Sequence, residues 1–297
     1  MSAEAWTERE REYSPSSMVR SLTELTDRYR TESERVRREV PYRTYSYGRH
    51  ASETLDFFAS GLGSAAHVFV HGGYWQDLSK DDSSFPAAGF HRLGTSYISV
   101  NYGLAPAFSL EAIIDQVVRA VRWIGINADG LGIDRHRIVL SGSSAGAHLA
   151  AAAVLRDVAD SRDAGGAADR GADVPVAGLI LLSGIYDLQP LVGTYINDAV
   201  GLDADTSAIL SPAMMLEARP DDAPGLPPLL ACWGEHETAT FKRESIGFAD
   251  RWRRHGGSAV ATEIADRNHF DIVHDLAEPA SQLGALIHSQ TREWQWP

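Results

Sequence analysis

Short apolar segments of strand length recur along the chain, and they alternate with longer segments whose apolar residues follow helical spacing. Eight short segments are rich in β-branched or aromatic residues and predict strands at 42–47, 54–58, 66–70, 96–101, 137–141, 177–182, 229–233 and 259–264. Five longer segments predict helices at 83–93, 110–126, 145–158, 241–255 and 276–289. Such alternation is typical of the α/β class, in which helices cover both faces of a mostly parallel sheet.

The first part of the chain departs from this alternation. No helical segment separates the first two predicted strands, so we expect the sheet to begin with an antiparallel hairpin and to be mixed. Upstream, residues 16–39 are polar except for a narrow apolar stripe that includes Leu22, Leu25 and Tyr29. This pattern predicts an N-terminal helical arm over residues 1–40, lying on a larger body as a solvated surface or a lid.

The sequence predicts one domain over residues 1–297. The stretch 157–173 is rich in Gly, Ala and Asp, and we interpret it as a surface loop rather than a linker because strands and helices resume after it. Hydrophobic residues make up 44% of the chain, which is enough for a large buried core.

Charge and cysteine content exclude several classes of protein. The formal net charge of −13 argues against nucleic acid or an anionic membrane surface as the main partner. Cys232 is the single cysteine, which excludes an internal disulfide framework and a cysteine-rich zinc site. The N-terminal residues are strongly charged, unlike a signal peptide, and no apolar run approaches the roughly 20 residues of a membrane-spanning helix. We therefore expect a cytoplasmic protein.

The strongest chemical signal is the segment Gly142-Ser-Ser-Ala-Gly146, which follows a predicted strand and precedes a predicted helix. A Gly-x-Ser-x-Gly pattern in this context is typical of a nucleophile elbow, whose small flanking residues let the chain turn sharply and lift the serine hydroxyl above the sheet. The serine at the centre is Ser144. Turns rich in Gly and Ser also follow strands without any catalytic role, so the interpretation depends on further residues.

A second signal is the segment His71-Gly-Gly73 at the end of the predicted strand 66–70. Attack on a carbonyl creates an oxyanion, and glycines let backbone N–H groups approach it without side chains in the way. In lipase- and esterase-type sites one donor comes from such a loop and another from the residue after the nucleophile, here Ala145. Gly72, Gly73 and Ala145 are therefore the candidate oxyanion hole.

A serine nucleophile also needs a base. Among the eleven histidines we favour His269, because it follows the last predicted strand and a loop there would return it to the sheet edge. His274 falls at the start of the final helical segment. His148 lies on the helix after the elbow, where packing is the more common role.

The acid that orients the base is expected after the predicted strand 229–233. Either Glu235 or Glu237 could serve, and we favour Glu237 because it lies farther into the loop. The resulting order Ser144, Glu237, His269 is the order of the catalytic triad in α/β-hydrolases, and each member follows a predicted strand. The sequence thus predicts an α/β-hydrolase fold.

Several longer segments are similar to those of one family. They are the oxyanion segment His71-Gly-Gly-Tyr-Trp-Gln76 with Ser79-Lys80, then Tyr13-Ser-Pro-Ser16, Asn101-Tyr-Gly-Leu-Ala-Pro106, Ser183-Gly-Ile-Tyr-Asp187, Leu210-Ser-Pro212 and Phe241-Lys-Arg-Glu-Ser245. From about residue 13 to residue 275 the chain resembles the kynurenine formamidase (arylformamidase) family of serine hydrolases. That family usually has aspartate where Glu237 stands, although a glutamate can also bind the imidazole.

The resemblance implies a serine hydrolase that cleaves an aryl formamide such as N-formylkynurenine to the aryl amine and formate through an acyl-enzyme. It implies a small aromatic molecule as partner and no metal or other cofactor. A carboxylesterase acting on small acyl or aryl esters is the alternative, and a catalytically inactive binding module is a further one. The sequence does not fix the oligomeric state, and a homodimer is compatible with it.

Aromatic residues near the motifs are candidates for substrate binding. Tyr74 and Trp75 could pack internally, as aromatic residues after a glycine turn often do, or could form a wall for an aromatic substrate. Tyr102, Tyr186 and Asn197 are weaker candidates for lining the same cavity.

Overall fold

The computed structural model describes residues 7–163, 176–220 and 223–294. In these parts of the chain eight strands form one sheet. In chain order the strands are β1 Arg43–Ser46, β2 Thr54–Phe58, β3 Ser64–Val70, β4 Ser96–Val100, β5 Ile133–Ser143, β6 Gly178–Leu182, β7 Leu229–His236 and β8 Ala259–Asn268. Each lies where the sequence predicts a strand, and β3, β5, β7 and β8 extend beyond their predicted limits.

The strands lie in the order β1-β2-β4-β3-β5-β6-β7-β8. Strand β2 pairs antiparallel with both β1 and β4, whereas the pairs from β4 to β8 are parallel. The prediction of a mixed sheet that begins with an antiparallel hairpin is therefore confirmed. Parallel register aligns the carboxyl ends of neighbouring strands: Val70 in β3 lies beside Gly142 in β5, and Ser143 lies beside Leu182 in β6. The segments that follow these strands thus leave from one edge of the sheet.

The hydrophobic core lies in two layers, one on each face of the sheet, because successive residues of a strand point to opposite faces. Val68 and Val70 of β3 belong to one layer, and Phe69 between them belongs to the other. Strands β4 and β6 are buried along their whole length, as expected for central strands that are covered on both faces.

Eleven α-helices accompany the sheet within the described residues. They are α1 Glu8–Glu12, α2 Leu22–Glu39, α3 Ala87–Arg92, α4 Leu110–Ile126, α5 Ala128–Leu131, α6 Ala145–Asp163, α7 Asn197–Val200, α8 Ala204–Ile209, α9 Pro212–Glu217, α10 Ala239–Arg254 and α11 Gln282–Thr291. The limits of α4 match the prediction, because Ser109 caps its first turn by accepting a hydrogen bond from the backbone N–H of Ala112. None of the helices in the described residues is long and apolar enough to cross a membrane.

Two predicted segments need correction. Helix α6 continues through Asp163, so the prediction of a loop over 157–173 is wrong for residues 157–163. Good helix formers, among them residues 150–153, Leu155 and Arg156, precede this segment, and the helix that they form continues into it. Residues 164–173 of that stretch lie outside the described residues. The final helix begins at Gln282 rather than at residue 276, because Ser281 caps it and residues 272–275 form a short 3₁₀ helix.

The N-terminal arm is held against the sheet-containing body by long-range hydrogen bonds. It consists of α1, a 3₁₀ helix at Pro15–Met18 and α2. On α2, the Ser33 hydroxyl oxygen accepts hydrogen bonds from the backbone N–H groups of Ser84 and Phe85, at 3.0 and 3.1 Å. The Tyr29 hydroxyl donates to the backbone carbonyl of Phe270. These contacts join the arm to the segment before α3 and to the loop after β8.

Candidate active site

Ser144 lies at the turn between β5 and α6, with a positive φ of 56°. The left-handed region is unfavourable for a serine, and such strain is typical of residues that a site must hold in one orientation. A side chain on Gly142 would overlap the carbonyl of Gly146, and one on Gly146 would overlap the carbonyl of Val70. Glycine is therefore required two positions before and two positions after Ser144. The backbone N–H of Ser144 donates a 2.8 Å hydrogen bond to the Leu182 carbonyl.

The loop after β3 passes in contact with this turn. A Cβ on Gly72 would lie 2.9 Å from the Ser143 carbonyl oxygen and 3.3 Å from the Ser144 Cβ. Gly73 has a φ of 99°, and a side chain there would overlap the carbonyl of Asp77. Ala145 begins α6, and the first N–H groups of a helix have no partner within the helix. Gly72 thus lies against Ser144, Gly73 lines the same cavity as Ser144, and Ala145 follows Ser144 directly in the chain.

His269 and Glu237 form a buried hydrogen-bonded pair. Nδ1 of His269 lies 3.0 Å from one carboxylate oxygen, Oε2 of Glu237. The other oxygen accepts hydrogen bonds from the Ser183 hydroxyl and the Gly234 N–H, both at 2.6 Å. Because a carboxylate can only accept, Nδ1 carries the proton and Nε2 remains an acceptor. The Glu237 carboxyl group thus has three hydrogen-bond partners, although the residue is only 6% exposed.

The structure separates the alternatives that the sequence leaves open. Glu235 is exposed, and its carboxylate accepts a hydrogen bond from the Asp266 N–H at 3.0 Å rather than meeting His269. His148 is buried, with Nε2 2.9 Å from the Leu210 carbonyl oxygen, and burial lowers the pKa of its imidazole to about 4. His274 pairs instead with Glu32 at 3.1 Å, and burial lowers its pKa to about 4 as well.

Ser144, His269, Gly72 and Gly73 line one cavity of about 260 Å³. Its other walls are mostly apolar or hydroxyl-bearing, and the aromatic ones are Tyr29, Phe69, Tyr74, Phe85, Tyr195 and Phe270. The N-terminal arm closes one side of the cavity with Ser14, Pro15, Ser16, Leu22, Thr26 and Tyr29. Of these aromatic residues, the sequence analysis identifies only Tyr74. Phe270 could have been found from its position next to His269.

The segment before α2 is fixed to the body at several points. Thr238 donates a hydrogen bond to the Glu12 carbonyl at 2.7 Å, and the Glu12 carboxylate accepts one from the Thr240 N–H at 3.0 Å. The hydroxyls of Ser14 and Tyr195 lie 2.7 Å apart. The arm is therefore part of the cavity wall rather than a loose extension.

Four residues proposed for substrate binding are not among the residues that line this cavity, and each has other contacts. Trp75 is fully buried, with its indole edge-on to His148. Tyr186 is buried and stacks on Phe248. The side-chain amide of Asn197 donates from its nitrogen to the Leu202 carbonyl and accepts at its oxygen from the Leu202 N–H. Tyr102 is buried beneath the loop after β3.

One group of possible metal ligands occurs within the described residues. Ligand atoms of Glu235, His236 and Asp266 lie within 4.8 Å of one another. All three residues are exposed, and exposed acidic groups of this kind are common without an ion. They lie outside the cavity lining.

The family model described as alpha/beta hydrolase fold matches residues 67–271. This span includes the oxyanion loop, the serine turn, Glu237 and His269. The chain belongs to the alpha/beta hydrolase fold family. The predicted fold class is thereby confirmed, and the protein is a hydrolase of this fold.

Relatives of the hydrolase include kynurenine formamidases. Those of Danio rerio and Salmo salar are each 27% identical to it, over 91% and 94% of this chain and 86% and 94% of their own lengths. These matches confirm the resemblance to the kynurenine formamidase family. Among solved structures, one from a Silicibacter species, described as a candidate thioesterase, superposes with a TM-score of 0.77 at 26% identity, covering 95% of the hydrolase and 100% of that chain.

Proposed function

We propose that this hydrolase is a serine arylformamidase that cleaves an aryl formamide such as N-formylkynurenine through a covalent formyl-enzyme. The observation that carries most weight is the hydrogen bond from His269 to Glu237 on the cavity that Ser144 and the two glycines also line. Nucleophile, base, acid and oxyanion donors are thus available to one bound carbonyl. The similarity to kynurenine formamidases supports the choice of substrate.

In the first half of the reaction, Nε2 of His269 takes the proton from the Ser144 hydroxyl while the serine oxygen attacks the formyl carbon. Glu237 holds the ring and stabilises the positive charge that develops on it. The N–H groups of Gly72, Gly73 and Ala145 stabilise the oxyanion. His269 then gives its proton to the aryl nitrogen, the C–N bond breaks, and the aryl amine leaves.

In the second half, a water molecule gives a proton to His269 and attacks the formyl ester. Collapse of the second tetrahedral intermediate returns that proton to Ser144 and releases formate. A formyl group is the smallest acyl group, so the reacting end of the substrate needs little space beside Gly72. The apolar and aromatic walls around Tyr74 and Phe270 suit an aryl leaving group.

Two measurements test this proposal. Ser144→Ala should lower kcat for N-formylkynurenine by about 10⁴- to 10⁶-fold, whereas Ser99→Ala, a buried serine on β4, should retain activity. A fluorophosphonate should label wild type and not Ser144→Ala. Undiminished turnover by Ser144→Ala would reject the nucleophile.

The substrate is tested by comparing kcat/KM for N-formylkynurenine with that for aryl acetates and butyrates. We expect the formamide to be preferred, with butyrates the poorest. A preference for the larger acyl groups would favour the carboxylesterase alternative and reject the formamidase assignment.

A further inference from the structure

Tyr102 follows β4 and is buried directly beneath the loop that carries the candidate oxyanion donors. Its ring stacks on the imidazole of His71, with centroids 4.1 Å apart and planes 10° from parallel. Its hydroxyl oxygen lies 2.8 Å from the His71 carbonyl oxygen and 3.2 Å from that of Gly72. One phenol thus reaches two consecutive backbone carbonyls.

These two carbonyls belong to the same peptide groups as the N–H donors. The His71 carbonyl shares a peptide plane with the Gly72 N–H, and the Gly72 carbonyl shares one with the Gly73 N–H. In a planar trans peptide, C=O and N–H point in opposite directions. A hydroxyl that holds both carbonyls on the buried side therefore directs both N–H groups away from itself. Gly72 and Gly73 both line the cavity, so N–H groups that point away from the buried phenol can face it.

The loop needs such restraint because its backbone is unusual. Gly73, Tyr74 and Trp75 have φ angles of 99°, 49° and 61°, three consecutive residues in the left-handed region. Conformations of this kind persist only where surrounding contacts fix them. His71 adds a second restraint, since its Nδ1 lies 2.9 Å from the Gly72 carbonyl oxygen.

We propose that Tyr102 is a positioning residue of the oxyanion hole, whose hydroxyl fixes the two peptide planes that present the Gly72 and Gly73 N–H groups. It acts through the backbone and does not touch the substrate. This inference rests on the proposed function, because it requires these N–H groups to be the oxyanion donors. It also gives the segment Asn101-Tyr-Gly-Leu-Ala-Pro106 a role in the site.

The test compares Tyr102→Phe with Tyr47→Phe. Both residues are buried, and each hydroxyl donates to a backbone carbonyl; for Tyr47 the acceptor is Asn101, at 2.6 Å. Tyr102→Phe keeps the ring on His71 and removes the hydroxyl. We expect kcat to fall about 10- to 100-fold with KM within about threefold of wild type, because the oxyanion is present only after attack.

The affinity for a tetrahedral transition-state analogue distinguishes a positioning role from a merely structural one. An aryl trifluoromethyl ketone, which adds to the serine and forms an oxyanion, should bind Tyr102→Phe more weakly by the same factor as the fall in kcat. The product amine should bind both variants as it binds wild type. Tyr47→Phe should lose thermal stability but retain kcat and affinity for the ketone.

The proposal is overturned if folded Tyr102→Phe keeps wild-type kcat and ketone affinity, or if KM rises while kcat stays. Should that variant not fold, 4-aminophenylalanine at position 102 restores an N–H donor and should keep kcat within about threefold; a large loss of kcat there also overturns it. Inactive Ser144→Ala with fully active Tyr102→Phe would reject the positioning role alone. Active Ser144→Ala would instead reject the proposed function.

Discussion

Replacing Glu237 with Gln keeps the shape of the side chain and changes what it offers to His269. One carboxylate oxygen receives two hydrogen bonds, from the Ser183 hydroxyl and the Gly234 N–H. In the variant the amide oxygen favours this position, because an NH₂ group would there face the Gly234 N–H. The NH₂ group then faces Nδ1 of His269, so Nε2 carries the proton and cannot accept one from Ser144.

Two effects multiply in the predicted loss of activity. Turning the amide back costs about 2 kcal/mol, the penalty for an unpaired buried N–H, and leaves about 3% of molecules with the correct tautomer. Losing the carboxylate charge beside the imidazolium costs about 3 kcal/mol more in the transition state, a factor of about 10². We expect kcat to fall about 10³- to 10⁴-fold.

The assay measures kcat on N-formylkynurenine together with the thermal unfolding midpoint of each variant. Glu235→Gln is the matched control, because Glu235 is exposed and bonds to the Asp266 backbone. It should stay within about twofold of wild type. A folded Glu237→Gln variant with more than a tenth of wild-type kcat would refute the reasoning, as would equal losses in the two variants.

Three further predictions concern backbone, arm and pH. Gly73→Ala should lower the free energy of unfolding by about 2 kcal/mol and kcat at least tenfold, because Gly73 has a φ of 99° and an added methyl group would overlap Asp77. An unchanged kcat would argue against a role of Gly73 in the site. Glu12→Ala should raise KM several-fold and speed hydrogen exchange in the arm, because Thr240 loses its acceptor; an unchanged KM would count against the arm as a cavity wall. Burial lowers the pKa of His67 to about 3 and that of His148 to about 4, from 6.5. The unfolded chain therefore binds more protons than the folded protein, and the free energy of unfolding falls as the pH drops from 6.5 towards 4. Urea unfolding should show a loss of about 2 kcal/mol per histidine between pH 7.5 and pH 5, and equal stability at both values would contradict it.

Much of the fold could be predicted because its strands and long helices carry strong local signals. Helix α4 combines a serine cap with an apolar stripe over its whole length, and both can be read without tertiary contacts. The short helices α7, α8 and α9 were missed, because helices of four to six residues have too few turns to show a period. Their positions depend on contacts such as the hydrogen bond from the Leu188 N–H to the Ser211 hydroxyl.

Part of the candidate site could likewise be predicted from local sequence, and part depends on tertiary structure. Ser144 and the two glycines follow from local turn geometry, which a short motif encodes. The choice between Glu235 and Glu237 needed the true end of β7, which runs to His236 and leaves Glu235 on its exposed side. For Trp75 the sequence leaves internal packing and a cavity wall open, because composition does not show which way a side chain of this loop points; in the structure it is buried against His148.

The hydrogen bond from Tyr29 to Phe270 spans 241 positions of sequence. The ribosome therefore synthesises the arm residues that close the cavity long before it synthesises His269. Between the synthesis of residue 144 and that of residue 269, the nascent polypeptide carries the serine without its proton acceptor. The proposed acyl transfer therefore requires synthesis to pass residue 269, and products truncated before that residue should be inactive.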